Sequence, residues 1–170
     1  MKTLQDVIIS RRSIRKYTSD PINHEQIESL LEAAMYTPSA NNLQPWHFIV
    51  VNEREMLNKI MLAHPYANML KDAPLAIVVC ADAAIEKMEG YWVQDCSAAT
   101  QNILLAAHAM ELGSVWLGVY PREERMKAFS ALFKLPNNIH VLSIIAIGHP
   151  KEQKPIPARY IKERIHINQW

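Results

Sequence analysis

The sequence predicts a mixed helix-and-strand domain whose central sheet is covered by helices on both faces. Three observations predict it. Four short segments, WHFIVV (46–51), PLAIVVCA (74–81), SVWLGVY (114–120) and VLSIIAIG (141–148), are apolar almost without interruption, the pattern of strands buried on both sides. Around them run segments whose apolar residues recur every three to four positions, the period of an amphipathic helix. The chain has 170 residues, 49% of them hydrophobic and 21% charged, which suits one domain able to bury a core without disulfides or metals.

Each element has a local reason. Thr3 followed by Asp6 has the form of a helix cap, and Leu4, Val7 and Ile8 follow at helical spacing, so a first helix is expected to run to about Arg12. Asn23 and Gln26 repeat the capping pattern ahead of HEQIESLLEAAMY, where Ile27, Leu30, Leu31 and Ala34 share one face. That helix should stop near Pro38, because the residue before a proline is pushed out of the α region. EREMLNKIML reads as a helix after the first strand, and REERMKAFSALF as a helix between the last two. The stretch from Tyr91 to Leu112 is the longest helix, with Gly113 expected to end it. Beyond it all, Pro150, Pro155 and Pro157 forbid a helix, and YIKERIHINQW has weak periodicity. Residues 150–170 are therefore expected as an extended arm lying along something else, a partner subunit being a candidate, and residues 1–170 as a single domain.

Composition and motifs exclude several functions. A formal net charge of +1 argues against nucleic-acid binding. No segment approaches the roughly 18 uninterrupted apolar residues of a membrane span. MKTLQDVII does not read as a signal peptide. Cys80 and Cys96 form no CxxC pair and read as buried free thiols suited to a reducing cytosol, so a cytoplasmic location is expected. The histidines show neither HxxxH nor HExxH spacing, and no metal site is expected. The sequence has 4 glycines and neither a GxGxxG nor a P-loop cradle; no GxSxG elbow serves hydrolysis.

Two stretches carry chemistry. RRSIRKY (11–17) concentrates Arg11, Arg12, Arg15 and Lys16. It reads either as a cationic helix end, favoured by the macrodipole, or as an anion site in which guanidinium forks and the Ser13 hydroxyl meet a phosphate. TPSANNLQPWHF (37–48) reads either as a turn or as a ligand loop, since Ser39, Asn41, Asn42 and Gln44 offer more amides and hydroxyls than a turn needs.

In order along the chain, RRSIRKY, PSANNLQPW, GSVWLGVYP and GHPKEQKPIPAR resemble the nitroreductase family of flavoproteins, in its compact form and over essentially the whole chain. The resemblance implies an α+β fold with a central, mostly antiparallel sheet flanked by helices on both faces. It implies a homodimer with one FMN per subunit at the interface and the C-terminal arm laid on the partner. Arg11, Arg12, Ser13 and Arg15 would hold the flavin, Arg11 and Ser13 at the phosphate and Arg15 at the N1–C2 edge, where reduction places negative charge. Arg159 would join them at the phosphate. Pro38, Ser39, Ala40, Asn42 and Gln44 would come from the partner chain.

Leu117 and Gly118 match the segment whose backbone N–H faces flavin N5. The missing Cβ of Gly118 would let the ring approach, the other reading being a glycine that marks a strand bulge. Asn68 or Lys71 would meet the pyrimidine edge or the substrate. Tyr91 and Trp92 would contact substrate or else pack in the core. The activity implied is that of an FMN-dependent oxidoreductase taking hydride from NADH or NADPH through flavin N5. It would pass the electrons to electron-poor small molecules such as nitroaromatics or quinones by ping-pong kinetics, the flavin carrying the chemistry and no catalytic side chain being assigned. The competing readings are a specialised activity (enone reduction, dehalogenation or flavin fragmentation) and a non-catalytic FMN-binding redox sensor.

Overall fold

The computed structural model describes residues 3–87 and 89–170. The first two helices begin where their caps require. The Thr3 hydroxyl accepts the Asp6 N–H at 3.2 Å while the Asp6 carboxylate accepts the Thr3 N–H at 3.0 Å, opening α1 (Leu4–Ser10). Asn23 and Gln26 exchange the same pair at 2.8 and 3.1 Å, opening α2 (His24–Met35). There follow β1 (Trp46–Val51), α3 (Arg54–Ala63), a 3-10 turn (Asn68–Lys71), β2 (Leu75–Asp82), α4 (Tyr91–Ala109), β3 (Gly113–Gly118), α5 (Glu123–Phe133) and β4 (Ile139–Gly148).

The four strands stand in the order β1-β2-β4-β3, every neighbouring pair antiparallel. The central strands are buried on both faces, as their apolar runs require. Along β2, Ala76, Val78 and Cys80 pack with Leu57, Ile60, Leu70 and Phe129 beneath α3 and α5, while Leu75, Ile77 and Val79 pack with Leu30, Ala34, Ala99 and Ile103 beneath α2 and α4. Cys80 and Cys96 are buried and free, and burial pushes both thiols up to about 12. No helix among the described residues is long and apolar enough to cross a membrane.

Three boundaries differ from the expectations. Helix α1 ends at Ser10 rather than Arg12, because the chain turns extended at Arg11 (ψ 130°) and Ser13 then bridges to Ser114 of β3. Helix α4 ends at Ala109; Glu111 takes the left-handed conformation (φ 62°), and Leu112 returns its N–H to Ala107 O at 2.8 Å. Gly113 is therefore no helix cap but the first residue of β3, where a Cβ would stand 2.8 Å from Ile14 Cγ2. Strand β3 stops at Gly118, two residues short of Tyr120.

The arm divides in two. Residues 149–155 lie along their own chain: Thr18 N–H reaches His149 O at 2.9 Å and Lys151 N–H reaches Lys16 O at 2.8 Å. Beyond them the arm is exposed, including Ile156, Tyr160, Ile161, Ile165, Ile167 and Trp170.

Candidate active site

The basic segment is held largely by its backbone. Ile14 N–H bonds Ser114 O at 3.0 Å, and the buried Tyr17 hydroxyl donates to the carbonyls of Ile14 and Ala146. From the arm, Glu152 accepts the Arg15 N–H at 2.6 Å and the Lys154 ammonium donates to Ser13 O at 2.7 Å. That backbone bond holds the Glu152 carboxyl below its ordinary value, with Lys154 acting in the same direction. Arg12 is itself structural, donating to Pro155 O at 3.1 Å and Ile9 O at 2.7 Å.

Arg11, Arg15 and Arg159 are different. Among the described residues no hydrogen bond or ion pair engages their guanidinium groups. Burial, then the like charges of Arg12 and Arg159, push Arg11 below its ordinary value. Arg12 meets a last-turn carbonyl of α1, so the macrodipole accounts for Arg12 but not for Arg15, which lies past the helix end. A partly buried guanidinium such as that of Arg11, set beside like charges and with no carboxylate paired to it among the described residues, is an unfavourable arrangement that an anion relieves.

Beside this segment opens a cleft of about 580 Å³, lined by Arg15, Lys16, Tyr17, Asn68, Met69, Lys71, Asp72 and Lys151. The structure thus brings Arg15 together with both mid-chain candidates, Asn68 and Lys71. Their 3-10 turn is anchored from behind, with Met69 and Leu70 buried and Arg54 donating to the carbonyls of Leu70 and Ala73. Asn68 and Lys71 stay exposed on the cleft side of that anchor.

Gly118 is exposed at the end of β3, an edge strand. An added Cβ would meet nothing nearer than Tyr120 O at 4.0 Å, so the space over it is open. The β3–β4 register runs unbroken through Gly118, but immediately after it Val119 and Tyr120 both send their N–H to Leu142 O, at 3.0 and 3.1 Å, the doubled bonding of a β-bulge, so Gly118 stands beside a bulge as well as under open space. Leu117 is buried and its side chain belongs to the core. The carbonyl of Gly118 accepts from His64 Nε2 at 3.0 Å and from Arg125 at 2.9 Å.

The remaining predicted residues lie elsewhere in the chain. Much of the polarity of residues 38–44 is used within the loop: Ser39 Oγ accepts the Gln44 N–H at 2.9 Å and the Gln44 amide donates to Asn42 at 3.2 Å. Ala40 N–H caps onto the buried Asp95 of α4 at 3.0 Å. Pro38, Asn42 and Gln44 are exposed, and none of residues 38–44 lines the cleft of Arg15 and Lys71. Tyr91 is exposed beside this loop, whereas Trp92 is buried, edge-on to Tyr120 at 4.9 Å. Among the described residues no cluster of three or more His, Cys, Asp or Glu could hold a metal.

Sequence reading missed His64, Arg125, Glu152 and Lys154. The first two meet at a carbonyl far from His64 in the chain, and no spacing rule joins them. For the arm pair, the signal was the alternation of charge in KEQK beside the prolines.

The chain matches the nitroreductase family model over residues 8–67 and 57–149. An Archaeoglobus fulgidus protein, provisionally named an NADH dehydrogenase/NAD(P)H nitroreductase, is 52% identical over 100% of this chain and 100% of its own length. An FMN-dependent nitroreductase of Clostridium difficile superposes with a TM-score of 0.90 at 33% identity, over 96% of this chain and 98% of that one. A Desulfovibrio desulfuricans structure, provisionally called a nitroreductase and solved in complex with FMN, superposes at 0.86 with 30% identity, over 100% and 99%. The matched residues run from the end of α1 through the Asn68–Lys71 turn and Gly118 to the head of the arm, and the chain belongs to the nitroreductase family.

Proposed function

We propose that this protein is an FMN-dependent NAD(P)H oxidoreductase that works as a cytoplasmic homodimer and reduces electron-poor acceptors such as nitroaromatics or quinones. The observation that carries the reading is the cleft of about 580 Å³ that gathers Arg15, Asn68 and Lys71, together with the Arg11 guanidinium, which lies near Arg159 with no hydrogen-bond or ion-pair partner among the described residues. These residues fit FMN: a phosphate satisfies Arg11 and Arg159, with the Ser13 hydroxyl adding a short donor. Arg15 and Lys71 place positive charge where a reduced ring is anionic, and Asn68 supplies an amide with both donor and acceptor.

FMN, when bound, supplies hydride acceptance from NAD(P)H and delivery to the acceptor. This chain's residues bind and orient it. Gly118 leaves its side of the site free of a side chain, so a planar ring can come close to the main chain. Residues 38–44 lie away from the cleft in their own chain, and the partner supplies them to the site: Pro38, Ser39, Ala40, Asn42 and Gln44. Support for the dimer comes from the arm, where Ile161, Ile165, Ile167 and Trp170 are too apolar to stay in water. Donor and acceptor would take turns over one flavin face, which gives ping-pong kinetics.

The test begins with colour. The purified protein, or protein mixed with FMN, should show a flavin spectrum that NADH or NADPH bleaches anaerobically within a turnover time and a nitroaromatic or quinone restores. Double-reciprocal plots should be parallel. Failure to take up FMN would overturn the reading. Uptake without bleaching would leave a flavin-binding protein in place of an enzyme.

A further inference from the structure

Gly118 poses a mechanical problem. Its missing side chain opens the site, but glycine is also the residue least able to hold its own conformation. The strand around it gives only partial support. Val119 N–H bonds Leu142 O at 3.0 Å, and bonding in an antiparallel ladder alternates between the two sides, so Gly118 directs both its N–H and its C=O to the open edge of β3. The same alternation is visible at Ser114, whose carbonyl receives Ile14 N–H at 3.0 Å from outside the ladder.

On this open edge the Gly118 carbonyl has two donors, His64 Nε2 at 3.0 Å and Arg125 at 2.9 Å. The tautomer of His64 follows from its other nitrogen. Nδ1 accepts the Tyr66 N–H at 3.2 Å, so the ring proton must sit on Nε2 and point at Gly118 O. His64 is 2% exposed, ending α3 where Ala67 N–H bonds its carbonyl at 3.1 Å. Burial also lowers its pKa, which keeps the ring in this neutral, single-donor form. Arg125 lies over the Tyr66 ring at 5.4 Å, so both donors are fixed to one short segment. That segment leads directly into Asn68–Lys71, the wall of the cleft.

We propose that His64 and Arg125 are positioning residues that clamp the Gly118 carbonyl, holding the open-edge N–H of Gly118 in a fixed direction and tying it to the Asn68–Lys71 wall. Neither side chain touches the reacting atoms; both act through one peptide. The clamp restores at Gly118 the rigidity that the absent side chain removes. It deepens the proposed function and rests on it for the identity of the ligand that the N–H meets.

Three variants test the clamp: His64→Leu removes one donor, Arg125→Met removes the other while keeping a stem over Tyr66, and His64→Gln restores an N–H donor without the ring. Amide hydrogen exchange at Gly118 and Val119, measured without added FMN, should be faster in the first two by about fivefold or more and near wild type in His64→Gln. With FMN, the first two should raise the dissociation constant by about fivefold or more and displace the midpoint potential of the bound flavin. Arg125→Met is the variant expected to fold normally, since Arg125 lies on a helix surface. If it melts at the wild-type temperature with unchanged exchange, dissociation constant and potential, the clamp is wrong. It is equally wrong if His64→Gln behaves like His64→Leu, because ring packing and not donation would then matter. A wild-type protein that binds no FMN would sink the proposed function, while the exchange measurement would still decide the clamp.

Discussion

Arg11 is a side chain whose surroundings oppose its charge, and its proposed place at the FMN phosphate would turn that cost into affinity. Its guanidinium is partly buried beside Arg12 and Arg159, and each of these effects opposes its charge. Arg11→Met should therefore leave the melting temperature of the FMN-free protein unchanged or slightly higher. FMN affinity should fall by about 10- to 100-fold, the worth of a charge-assisted contact to phosphate. Equal affinity by fluorescence titration would remove Arg11 from the phosphate. His64 makes a second prediction at this scale. Its folded pKa lies below the ordinary 6.5, through burial first and then the nearby Arg125, so between the two values the unfolded chain binds the extra proton. Stability is then fully present above about pH 6.5 and declines as pH falls toward the folded value. Melting curves from pH 7.5 to 5 should show that decline, and His64→Gln should flatten it; parallel curves for the two proteins would contradict the assignment.

Among the elements, β3 carries two glycines with opposite requirements. At Gly113 a Cβ would meet Ile14 Cγ2 at 2.8 Å, Ile14 Cβ at 3.0 Å and Pro150 Cβ at 3.2 Å, so the basic segment and the arm pack there only because no side chain intervenes. Gly113→Ala should destabilise by about 1 to 3 kcal/mol through overpacking, and with it loosen residues 13–15. At Gly118 the nearest atom is 4.0 Å away. Gly118→Ala should therefore melt like the wild type yet bind FMN more weakly, because the methyl group takes the room proposed for the ring. Thermal melts paired with FMN titration separate the two cases. A Gly118→Ala protein with full affinity would show that nothing approaches this residue.

For the whole molecule the arm is the deciding part, and its two halves have different duties. Residues 149–155 fasten the basic segment of their own chain through Glu152, Lys154 and the backbone of Lys151. Residues 160–170 make no such contacts and expose Tyr160, Ile161, Ile165, Ile167 and Trp170. Burying such a side chain contributes roughly 1.5 to 3 kcal/mol, so several of them against a partner suffice to hold a dimer. Removing residues 160–170 should yield a folded monomer by sizing chromatography, with residues 11–17 still in place and Arg159 retained. It should lose FMN if, as proposed, residues 38–44 of a second chain complete the site. A truncated protein that stays dimeric and yellow would place the dimer contact elsewhere.

The sequence by itself determined the elements and their burial. The caps at Thr3 and Asn23, the helical period of α2 and the apolar runs of β2 and β4 depend on residues a few positions apart, and each is realised where it was read. Those runs disclosed that both faces of the sheet are covered. They did not disclose strand direction, since burial of both faces leaves the same pattern in an antiparallel sheet as in a parallel one. In RRSIRKY the residue types allowed a helix end or an anion site, and only the Ser13–Ser114 bridge shows the chain leaving the helix there. The tertiary structure alone decided that Arg15 shares a cleft with Lys71, that the near half of the arm folds back on its own chain, and that His64 reaches Gly118. Periods and caps are written in neighbouring residues, whereas these contacts join segments whose separation is set only when the two layers pack onto the sheet.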